Sequence, residues 1–186
     1  MRENADMKSD VEFVECGGSA TGKRLVAILL KREQLLYDVG NYCYIEGDIM
    51  PEERQHSRHA VQDVVEEGNV DRVTRILDLV HDDVVERLYP FTQHEVYHPV
   101  VDDRLREKPV YGIFLSVPET YSQTTLNLLG KLIHEVMVCL AVADWMSITN
   151  PEKEETWRGK AEATLARINQ VKSRTRGRTR IKPHWL

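Results

Sequence analysis

A chain of 186 residues can bury one real core and is too short to suggest two. Its 41% hydrophobic and 30% charged side chains are those expected of a soluble globular protein, and no unbroken apolar run approaches the ~18 residues of a membrane span. The formal net charge of −5 conceals an asymmetry: the last 15 residues hold six of the 25 basic side chains and none of the 30 acidic ones, so the rest of the chain is formally −11. An acidic body with a basic tail points to an interaction.

The opening MRENADMKSD has no hydrophobic segment behind it, so it does not read as a secretory signal. Cys16, Cys43 and Cys139 are scattered, odd in number and without a C-x-x-C pair, which suits a reducing compartment and incidental thiols. Residues 1–22 read as a flexible or extended arm ending in GGSATG. A long helix is expected over residues 23–48, with an apolar stripe of Leu25, Ile28, Leu29, Leu36, Val39 and Cys43, bracketed at its end by Gly47 and Pro51. A shorter helix fits residues 52–67, stopped by Gly68-Asn69. A third, over 70–88, has Val73, Leu77, Val80, Val84 and Leu88 on one face and Pro90 closing it.

Residues 90–118 carry four prolines and one clear strand, PVYGIFLSV, for which EVYHPVV (95–101) is the candidate partner. The most apolar segment follows at 122–148, where Leu126, Leu129, Leu132, Ile133, Val136, Met137, Leu140 and Trp145 leave little polar face; it is the expected central helix. Asn150-Pro151 opens a last helix with the face Trp157, Ala161, Leu165, Ile168 and Val171. The expected fold is mainly α, four to five helices in a bundle with a small β insertion near 90–118 and extended terminal arms. The bundle occupies 23–171 and the tail 172–186.

Two chemical motifs require weighing. His94-Glu95-Val96-Tyr97-His98 is a literal H-E-x-x-H, the pattern of a zinc hydrolase. That chemistry needs a helix to aim both imidazoles at one metal and leave the glutamate beside the bound water. Here Pro99 pushes His98 out of the α region, and in a strand Glu95 points away from both histidines. Asp102 or Asp103 could add a third ligand, but a polar loop or edge strand is the stronger reading. Residues 17–23, GGSATGK, fit G-x-x-x-x-G-K. Arg24 stands where a phosphate loop needs Ser or Thr, and no alternation of strands and helices follows. The pairs His81-Asp82 and His134-Glu135 read as packed or solvated helix residues, and Trp145 and Trp157 as core. No catalytic residue, metal site or cofactor is expected.

The tail, VKSRTRGRTRIKPHWL, places Lys172, Arg174, Arg176, Arg178, Arg180 and Lys182 at every second position. In an extended chain these charges share one side, and Trp185 and Leu186 supply an apolar end. Three roles fit: a solubilising tail, a sequence-independent contact to nucleic acid, or docking on an acidic surface of a partner or of the next copy. The third is favoured, because the body is acidic and Trp-Leu suits a pocket. A zinc hydrolase through His94, Glu95 and His98 ranks below these.

The stretches GKRLVAILLKREQLLYDVGNYCYIEGD, PETYSQTTLNLLGKLIHEVMVCLAVADWMSITNPE and WRGKAEATLARI, together spanning roughly residues 22–170, resemble head-to-tail connector proteins of tailed bacteriophages, as in the Bacteroides and crAss-like phages. The resemblance implies a structural virion protein made in the bacterial cytoplasm. It would form a ring, twelvefold in that family, between the portal and the next neck or tail protein. DNA would pass through the channel without sequence-specific binding, and no membrane would be involved. The tail residues from Lys172 to Lys182, with Trp185 and Leu186, would bind the partner.

Overall fold

The computed structural model describes residues 11–19, 23–89, 91–92, 108–118 and 121–173. It is mainly α with a small antiparallel sheet. The sheet comprises β1 (Val11–Ser19), β2 (Lys23–Lys31) and β3 (Val110–Pro118), in that spatial order. The principal helices are α1 (Arg32–Ile49), α2 (Gln55–Gln62), α3 (Glu67–Arg87), α4 (Gln123–Thr149) and α5 (Pro151–Ser173). One-turn 3-10 segments flank α2 on both sides, Glu52–Arg54 and Asp63–Val65.

The first helix begins at Arg32, nine residues later than its apolar pattern suggests, because residues 23–31 form a strand. Val26, Ile28 and Leu30 alternate at period two and are buried opposite Leu115, Ile113 and Tyr111 of β3. A short apolar run satisfies both periods, and pairing with β3 decides the matter. The strand partner of β3 is therefore β2; residues 95–101 lie outside the described part. Residues 11–19, read as part of an arm, form β1 on the far side of β2. GGSATGK consequently bridges two antiparallel strands and precedes no helix, which removes the geometry a phosphate loop needs.

α4 is the core helix. Fourteen of its residues are buried, among them Leu126, Ile133, Val136, Met137, Val142 and Met146. By length and composition it could cross a membrane, but two-thirds of its most apolar stretch is buried inside the fold. α5 folds back along α4 and inserts Trp157, Ala161, Leu165, Ile168 and Val171, the face read from the sequence. α3 contributes Val73, Leu77, Val80, Val84 and Leu88, also as expected. α1 packs through Leu35, Val39, Cys43 and Gly47.

Polar contacts fix how the helices sit. The Trp157 indole donates to Glu46 at 3.2 Å, and Lys153 pairs with the same carboxylate at 3.1 Å, so α5 starts where α1 ends. Lys160 pairs with Glu135 at 2.9 Å, its ammonium 4.7 Å from the centroids of both Tyr42 and Trp157. Burial works against that charge, but the Glu135 carboxylate and its neighbours outweigh it, and the net pKa is raised. The two histidine pairs are tied into the fold. His81 Nε2 lies 3.1 Å from the Gly112 carbonyl, and His134 Nε2 lies 3.2 Å from Asp38.

A candidate assembly surface on helix α1

Helix α1 buries one apolar face and exposes two tyrosines on the other. Leu35, Val39, Cys43 and Gly47 point inward at a spacing of four. On the opposite side Tyr37, Asn41 and Tyr44 face solvent, with Tyr37 68% and Tyr44 59% exposed.

Between this outer face and the segment joining α2 to α3 runs a groove of about 540 Å³. Leu36, Tyr37 and Tyr44 form one wall, Val65 and Val70 the other, and Glu33 and Asn41 stand at its mouth. Gly40 allows the close approach that shapes it: a Cβ there would lie 3.1 Å from Val65 Cγ1. The volume is that of a site holding one or two large side chains or a small molecule. One acid, the exposed Glu33, lines it. Glu66 and Glu67 follow Val65 in the chain, and Asp71 follows Val70.

The expected partner-binding residues divide sharply. Lys172 lies on α5 and donates from Nζ to the main-chain carbonyls of Arg87 and Tyr89. A lysine meeting the carbonyls at the end of α3 satisfies groups the helix leaves open and complements its dipole. Burial lowers its pKa. Lys172 therefore fixes the end of α5 against α3. Arg174, Arg176, Arg178, Arg180, Lys182, Trp185 and Leu186 lie outside the described residues, as do His94, Glu95 and His98. Among the described residues no cluster of His, Cys, Asp and Glu is arranged to hold a metal.

The groove was missed from the sequence, although a signal was present. Tyr37, Gly40, Asn41 and Tyr44 follow helical spacing on the side opposite Leu35, Val39 and Cys43. Starting the helix at residue 23 hid this by putting strand residues into the stripe. No protein-family model matches the chain, and no curated protein or solved structure is similar to it.

Proposed function

We propose that the protein is a structural component that assembles into a head-to-tail connector ring, joining a phage portal to its tail. The observation that carries this reading is the largely apolar groove on α1 with Glu33 in its lining, in a chain that also carries a basic segment followed by Trp185-Leu186. A groove in one place and a basic, Trp-Leu-bearing segment elsewhere in the chain are the parts a heterologous contact needs, and such a contact closes into a ring when the rotation allows. The mainly α fold and the resemblance of residues 22–170 to connector proteins agree with it. Its chemistry is association. The formal −11 of the chain before residue 172 would also let DNA slide past an inner wall without being held.

Negative-stain electron microscopy of the full chain at rising concentration tests the proposal. Closed particles with a central hole are expected. Particles of single-subunit size at every concentration, with no association with a portal, would reject it.

A further inference from the structure

Three features say what fits the groove on α1. The first is the chain that continues beyond α5. Thirteen residues follow Ser173, ending in Trp185 and Leu186, and fully extended they span about 43 Å. The second is charge. Arg174, Arg176, Arg178, Arg180 and Lys182 bring five positive groups, and the groove is lined by the acidic Glu33, while the exposed Glu66, Glu67 and Asp71 are next in the chain to its lining residues Val65 and Val70. Arg72, the nearest exposed cation in that stretch of chain, is held by Asp144 at 2.8 Å. The third is placement. Lys172 pins the end of α5 to the C-terminal end of α3, whereas Val70 stands at the N-terminal end of that helix, about 26 Å away along its axis. The root of the tail and the groove thus lie on separate patches of one subunit, as a head-to-tail contact between copies requires, and the mixing experiment below distinguishes that contact from docking within one copy.

We infer that the α1 groove receives the C-terminal segment of a second copy of this chain. Trp185 and Leu186 seat among Leu36, Tyr37, Tyr44 and Val65, and the basic residues before them pass Glu33. This rests on the connector reading and adds the receiving surface to it. An indole buries 150–250 Å² and is the side chain most often dominant in such a contact. If the segment docks as an extended strand, its alternating charges share one side.

The test uses the full chain in two single variants and their mixture. Val65→Lys puts a cation in the groove wall at a position 43% exposed, so the core is left alone. Trp185→Ala removes the anchor. Sedimentation at low salt should show wild-type self-association weakened about thirtyfold or more in each variant alone. Mixed together, the two variants should form a one-to-one pair and nothing larger, because one retains a working tail and the other a working groove. Glu33→Lys, a surface change at the mouth, should weaken association at low salt only.

If Val65→Lys and Glu33→Lys assemble like wild type while Trp185→Ala does not, the tail docks elsewhere. The groove assignment then falls and the ring reading stands. A mixture that stays monomeric overturns the assignment, since the groove variant then acts through something other than the seat. Wild type that is monomeric throughout, with its tail folded onto its own groove or free, overturns both the contact between copies and self-driven ring closure.

Discussion

The indole nitrogen of Trp145, buried on α4, donates to the carbonyl of Val61 at 3.0 Å, joining residues 84 positions apart. Val61 lies in the last turn of α2, so its carbonyl has no partner further along that helix. The contact thus ties the short α2 to the core helix and positions the Asp63–Val65 turn that forms one wall of the groove. Trp145→Phe keeps the ring and leaves the carbonyl unsatisfied. A loss of about 1–3 kcal/mol is expected, read from the urea midpoint with the denaturant slope unchanged.

Gly47 and Gly159 should respond in opposite directions to alanine. A Cβ at Gly47 would lie 2.7 Å from Gln62 Cγ and 3.1 Å from the Arg58 carbonyl oxygen, so α1 and α2 would have to part. Gly47→Ala is expected to destabilise by about 1–3 kcal/mol. At Gly159 nothing lies within 4 Å, and the helix gains roughly 0.5–1 kcal/mol from alanine. Thermal or chemical unfolding of both variants would expose an error in the placement of α1 against α2.

Burial pushes the Cys43 and Cys139 thiols up to about 12, with Glu46 adding to the effect at Cys43. At Cys139, Lys160 pulls the other way and Glu135 supports the rise. Neither thiol should react with iodoacetamide at pH 8 in the native protein, in a Cys16→Ser background, and both should react in denaturant. The pH dependence has a definite sign. Above about pH 9 the unfolded thiols ionise while the native ones keep their protons until about pH 12, so stability falls as pH rises through that window. Each thiol steepens the fall by up to ~1.4 kcal/mol per pH unit. Tyr111, raised chiefly by burial and secondly by Asp78, acts in the same direction.

The connector reading predicts that DNA is not retained by the protein. At about 0.15 M salt, duplex DNA is expected to show no electrophoretic shift with the full chain. A shift that falls steeply with salt and disappears without the tail would move the reading to a nucleic-acid-binding protein.

Much of the bundle could be read from residue spacing. The buried faces of α3 and α5 are each a single stripe, α4 is buried on most sides as its composition suggested, and Trp145 and Trp157 lie in the core where their surroundings in the sequence put them. The misreading at residues 23–31 has a physical cause. Val26 to Leu30 is an unbroken apolar run, and pairing with β1 on one side and with β3 on the other, whose residues lie 80 to 90 positions further along, makes it β. The same error concealed the groove, which also depends on a long-range event, the approach of Val65 to Gly40. Lys172 shows the converse. Its charge belongs to the alternating basic series in sequence, but its place on α5 directs it to the end of α3.

The most direct measurement is the mass in solution, by multi-angle light scattering, of the full chain and of a chain ending at Ser173, which keeps Lys172 in place. Both would be run over a range of protein and salt concentrations. The account predicts a large closed species for the full chain at low salt, dissociating as salt rises, and a monomer for the shortened one. A full chain that stays monomeric under every condition, or a shortened chain that assembles equally well, would contradict it.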